Sequence, residues 1–229
     1  MDSKFKYKYY KYKSKYLKLK GGRKTLLLTG PHAFCNKHNI NKTISETGHY
    51  CDSIVDKTLL LFREKFTEKF NYSKNIKIIS NNKLRSDCDM NRFYCNKEKI
   101  RETRNEKFRQ DITKELETTN IYFLLDIHSF PKDTENKNHD MYILWQDEQQ
   151  RYADDLILYI TQHTENTNIN IGIYKGENND IIKEAHEKKI PALLLEFKEI
   201  DLQNNNEIEN RNIIISLVID WVVQYDNTN

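Results

Sequence analysis

The run Ile121-Tyr122-Phe123-Leu124-Leu125-Asp126-Ile127-His128-Ser129 carries the strongest structural signal in the chain. Its apolar part predicts a central buried strand over Ile121–Ile127. The run then turns polar within a few residues. In a strand, residues i and i+2 share a face, so Asp126 and His128 point the same way. An acid and an imidazole at the end of a buried strand suit either chemistry or a hydrogen-bonded core histidine.

Working outward, Thr25-Leu26-Leu27-Leu28-Thr29, stopped by Gly30-Pro31, and Pro191-Ala192-Leu193-Leu194-Leu195 read as two more buried strands. Ile76–Ile79, Met141–Trp145 and a weaker stretch at 169–174 complete the strand set. Helical periodicity runs through roughly 50–68, where Ile54, Val55, Leu59, Phe62 and Phe66 keep one face. Residues 97–118, rich in Glu, Lys, Arg and Gln, read as a solvent-facing helix. Helices are also predicted over 148–163 and 178–188, and a final amphipathic one over 207–224, behind an Asn/Glu-rich loop at 203–208. Strands alternating with helices predict one three-layer α/β/α domain with a mixed, largely parallel central sheet.

Composition divides the 229 residues unevenly. Residues 1–24 hold nine Lys and Arg23 against Asp2 alone, a net charge of +9. The remainder holds 27 basic and 33 acidic residues, a net −6, so the overall +3 conceals a basic leader on a mildly acidic body. The leader, residues 1–24, alternates Lys with Tyr7, Tyr9, Tyr12 and Tyr16 before Gly21-Gly22. A short amphipathic helix, a mobile solubilising tail, phosphate pairing with base stacking, and adhesion to an anionic surface all remain open for it. It resembles the Lys/Tyr-rich leaders ending in Gly-Gly on proteins of giant DNA viruses, which implies an origin rather than a chemistry. Residues 25–229 are expected to form the single α/β domain. No apolar run reaches the ~18–20 residues a membrane span needs. The leader lacks the apolar region of a secretory signal, so a cytosol-like location is expected: host cytoplasm or a virus factory, or the virion. Cys35, Cys51, Cys88 and Cys95 fit no redox or zinc-knuckle spacing and are expected as reduced thiols.

Ligands of open α/β sheets bind beyond the carboxyl ends of strands. Reading those ends gives Gly30-Pro31-His32, then Arg85 and Asp89-Met90-Asn91-Arg92, then Asp126-Ile127-His128-Ser129, then Glu196. Two His with acids and Arg at strand ends are what a hydrolytic metal site requires. Catalytic zinc takes three N/O ligands and leaves a position for water. His32 and His128 are the natural nitrogen donors, and Asp126 is placed to orient an imidazole.

These residues resemble the N-formylglutamate amidohydrolases, relatives of the zinc carboxypeptidases. The motifs stand in that family's order: Pro31-His32, Asp52-Ser53-Ile54-Val55-Asp56, Arg85 with Asp89-Met90-Asn91-Arg92, Asp126-Ile127-His128-Ser129, and Leu195-Glu196, across roughly residues 25–200. The resemblance implies a zinc-carboxypeptidase-like fold and one divalent ion, zinc, held by His32, Asp52 and His128, with Glu46 as the alternative to Asp52. It implies Glu196 as general base and Arg85 as oxyanion stabiliser. Asn91 and Arg92 would hold the carboxylate of a small amide or peptide substrate. Ala33-Phe34 stands where the family places Gly, and Gly172–Ile182 matches its late substrate loop only loosely, so a reshaped pocket is expected. Two other functions compete: an inactive member of the fold serving as a virion or interaction protein, and a nucleic-acid binder acting through the leader.

Overall fold

The computed structural model describes residues 24–33, 54–70, 75–81, 106–130, 138–165, 167–176, 179–200 and 203–228. Among these residues six strands and five α-helices follow one another as β1 (Thr25–Gly30), α1 (Val55–Phe70), β2 (Asn75–Ser80), α2 (Lys107–Thr118), β3 (Ile121–Phe130), β4 (Met141–Trp145), α3 (Gln150–His163), β5 (Ile171–Lys175), α4 (Asp180–Glu187), β6 (Ala192–Lys198) and α5 (Asn205–Thr228). They build one sheet in the order β2-β1-β3-β6-β4-β5. β2, β1, β3 and β6 are mutually parallel. β4 runs antiparallel to β6, and β5 runs parallel to β4. This is the mixed, largely parallel α/β/α domain that the alternation predicts.

Every residue of β1 and β3 is buried, because helices cover both faces. On one face α1, α3 and α5 seat Leu59, Phe62, Leu156, Val218 and Trp221 against the sheet. There Phe123 meets Tyr152, Trp221 and Tyr225 edge-on at 5.3–5.8 Å. On the other face α2 and α4 bring Phe108, Ile112, Leu116, Ile181, Ile182 and Ala185 onto Leu27, Leu124 and Leu194. Among the described residues no helix is long and apolar enough to cross a membrane.

Three local readings change. The segment expected to be a solvent-facing helix over 97–118 is described as α2 from Lys107 only, and it is amphipathic. Its buried face includes Arg109, whose guanidinium reaches Glu184 of α4 at 2.9 Å, so a charge counted as solvated is an internal cross-link. The Asn/Glu-rich stretch at 203–208 is largely the first turn of α5: Asn204 Oδ1 accepts from the backbone N–H groups of Asn206 and Glu207 and starts the helix early. β3 continues past Ile127 to Phe130, so His128 and Ser129 lie within the strand rather than beyond it. At the leader boundary, Lys24 pairs with Asp226 of α5 at 2.7 Å. Residues 1–23 and all four cysteines lie outside the described residues.

Candidate metal and hydrolytic site

From β1 the chain moves out to β2 on one side and returns to β3 on the other. The carboxyl ends of β1 and β3 therefore flank a point where the winding reverses, which is where α/β sheets open a crevice. His32 follows β1 there. Its turn is pinned from the end of β2: Asn81 donates through Nδ2 to Pro31 O at 2.8 Å and through its backbone N–H to Gly30 O at 2.9 Å. Gly30 permits the close approach, since a Cβ there would lie 2.6 Å from Leu59 Cδ1 of α1. The outcome is an imidazole that is 1% exposed, at the rim of the sheet. Ala33, in the place where a Gly would bring backbone closer, is buried beside it.

His128 arrives from β3 on the face covered by α2 and α4. The rings of His32 and His128 meet edge-to-face with centroids 5.0 Å apart. His128 Nε2 lies 3.0 Å from Asp126 Oδ2, one strand repeat back on the same face. Asp126 is fully buried and further held: Thr29 Oγ1 donates to its Oδ1 at 2.6 Å, and Asn179 Nδ2 donates to its Oδ2 at 2.6 Å. A carboxylate buried this deeply requires such donors. A carboxylate only accepts, so this contact is a hydrogen bond when the ring carries its proton on Nε2.

Glu196 of β6 stands in register with His128 of β3 and Tyr142 of β4, so the three share one face, with parallel neighbours ~4.8 Å apart between strands. Tyr174 of β5 donates from its hydroxyl to Glu196 Oε2 at 3.2 Å. Tyr142 Oη lies 2.9 Å from His139 Nδ1, and its ring packs on Phe130 and Tyr174. Burial first, and then the negative charge of Glu196, hold the Tyr174 and Tyr142 hydroxyls above their ordinary range, so both remain donors at neutral pH. Gly172 of β5 leaves room for the Tyr142 ring.

His32, Asp126, His128 and Glu196 are thus brought to the same end of the sheet. Asp52, its alternative Glu46, Arg85, Asn91 and Arg92 lie outside the described residues. Among the described residues no group of three or more His, Cys, Asp and Glu is arranged to hold a metal ion; the histidines form a pair. The donor chemistry of that pair still fits a borderline divalent ion. It consists of two buried imidazoles, one anchored on Nε2 by a buried carboxylate, the arrangement that orients metal-binding histidines in general. Reading the sequence for strand-end residues passes over Thr29, Tyr142, Tyr174 and Asn179. Asn179 stands in the Gly172–Ile182 stretch that matches a late substrate loop only loosely, and just before Asp180-Ile181-Ile182, where a helix cap is expected.

No protein-family model matches the chain, and no curated protein sequence matches it. Solved structures do. The gene product Atu2144 of Agrobacterium tumefaciens aligns at 13% identity over 90% of this chain and 91% of its own, with a TM-score of 0.57. The catalytic domain of CwlV, an N-acetylmuramoyl-L-alanine amidase of Bacillus (Paenibacillus) polymyxa, aligns at 15% identity over 90% and 99%, with a TM-score of 0.52. The CwlD amidase of Clostridioides difficile, solved with the GerS lipoprotein, aligns at 14% identity over 90% and 100%, with a TM-score of 0.52. At these identities the likeness is one of fold: over about 90% of its length the chain shares an α/β architecture with these three structures.

Proposed function

We propose that the protein is a metal-dependent hydrolase of an amide or peptide bond in a small carboxylate-bearing substrate, similar to N-formylglutamate amidohydrolases. The observation that carries this reading is the pair of buried imidazoles at the winding reversal. One of them is anchored by Asp126, and Glu196 lies in register beside it. The architecture shared with amidases supports amide chemistry over other hydrolyses.

His32 and His128 would hold the ion, zinc by preference for this donor set, with Asp52 or Glu46 as the third ligand. An ion bound there supplies Lewis-acid chemistry, polarising the scissile carbonyl and making water acidic enough to give up a proton near neutral pH. Asp126 keeps the His128 ring in one orientation and one tautomer. Glu196 accepts the proton of the attacking water and delivers it to the leaving nitrogen. The Tyr174 hydroxyl restrains Glu196 through Oε2. Arg85 would stabilise charge developing on the carbonyl oxygen, and Asn91 with Arg92 would hold the substrate carboxylate, the guanidinium through two parallel bonds.

The test is hydrolysis by the zinc-loaded full chain, with N-formyl, N-acetyl and N-succinyl amino acids as substrates. Glu196→Gln is expected to lose activity by at least about a hundredfold while still binding the ion. Undiminished turnover in that variant would remove Glu196 from the mechanism.

A further inference from the structure

Asn179 performs two tasks with one side chain. Its Oδ1 accepts from the backbone N–H groups of Ile181 and Ile182, at 2.9 and 3.1 Å, and so caps α4. That fixes which end of the amide is which: the carbonyl oxygen faces the helix, and Nδ2 must face the other way. What it meets there is Asp126 Oδ2 at 2.6 Å, the same oxygen that contacts His128 Nε2. Asn179 is 4% exposed. The helix that carries it is itself tied down, because Arg109 of α2 bonds Glu184 and the carbonyl of Asp180 while Thr113 bonds the other Glu184 oxygen at 2.6 Å.

We infer that Asn179 is a positioning residue for His128, using the start of α4 as a rigid mount that sets the rotation of the Asp126 carboxylate and, through it, the tautomer and orientation of the imidazole. The inference rests on reading His128 as a metal-holding residue, and it assigns α4 a part in the site that its distance in sequence conceals. Thr29 holds the opposite carboxylate oxygen, so the two donors together leave Asp126 one orientation.

Asn179→Ser separates the two tasks. Serine caps a helix about as well as asparagine but is too short to reach Asp126. Asn179→Ala loses both. Three readouts on the full chain decide the matter: zinc affinity by chelator competition, the 15N signature of the His128 ring, and the melting temperature. The expected result for Asn179→Ser is a near-native melting temperature, a His128 ring that samples both tautomers, and zinc binding weaker by about tenfold, the low end for partners that act through a ligand. Asn179→Ala should add a lower melting temperature. If Asn179→Ser keeps the native tautomer and native zinc affinity, Asn179 is a helix cap only and the inference fails while the proposed function stands. If the wild-type chain binds no zinc, the proposed function fails, and the ring signature of Asn179→Ser still decides whether Asn179 positions His128.

Discussion

Gly172→Ala tests the geometry around Glu196 without touching a proposed catalytic group. A Cβ at this position would lie 2.2 Å from Cε1 and 2.3 Å from Cδ1 of Tyr142. Ordinary carbon contacts are ~3.5–4.0 Å, so the ring must recede by more than ~1 Å. It has nowhere to go: it is 8% exposed, packed on Phe130 at 5.1 Å and Tyr174 at 5.4 Å, and hydrogen-bonded to His139. Overpacking of this kind costs about 1–3 kcal/mol. The loss of glycine's freedom in the unfolded chain returns about 0.5–1 kcal/mol. The net expectation is a destabilisation of about 0–2.5 kcal/mol, or a melting temperature lower by up to about 10 °C for a domain of this size. Urea denaturation of Gly172→Ala, Tyr142→Ala and the double variant measures it directly. With the ring gone, the new methyl group fits, so the cycle should show a coupling of about 2 kcal/mol. Additivity within ~0.5 kcal/mol would mean that the ring does not sit over Gly172, and the placement of Tyr142 and Tyr174 beside Glu196 would fall with it.

Arg109→Met should destabilise by about 3 kcal/mol, since it strands Glu184 against α2, and Arg109→Met combined with Glu184→Met should recover most of that in equilibrium unfolding; no recovery would refute the pairing. Burial, and behind it the Asp226 carboxylate, hold the Tyr122 hydroxyl above the ordinary tyrosine range. Its contribution to stability is therefore present below about pH 10 and is lost as pH rises above that value, where the unfolded chain ionises and the folded one does not. Tyr122→Phe is predicted to move alkaline unfolding to higher pH, and an unchanged midpoint would contradict this. Neutralising Glu196 removes a charge that opposes ionisation of Tyr174 and Tyr142, so ultraviolet titration of Glu196→Gln should show tyrosine ionising at lower pH, with Tyr174→Phe assigning the change.

What the sequence reveals and what it hides follow from the range of the interactions. β1, β3 and β6 are short apolar runs that turn polar, so their existence and the candidate residues His32, Asp126, His128 and Glu196 can be read locally. The orientation of β4 is not local. It pairs antiparallel with β6, with Tyr142 opposite Glu196, and neither the direction nor the register is written in the strand's own residues. Thr29 and Asn179 reach Asp126 across 97 and 53 residues, and neither carries a pattern that distinguishes it from an ordinary strand threonine or loop asparagine. Arg109 looks solvated in a charged helix because its partner Glu184 lies 75 residues away. The likeness to two amidases is one of fold, at 14–15% sequence identity.

The central claim is that His32 and His128 hold a divalent ion. Elemental analysis of the purified, folded full chain after zinc loading and exhaustive dialysis tests it most directly. One zinc per chain is expected, lost in His32→Ala and in His128→Ala and retained in Glu196→Gln. A folded chain that retains no zinc, or histidine variants that retain it in full, would contradict it.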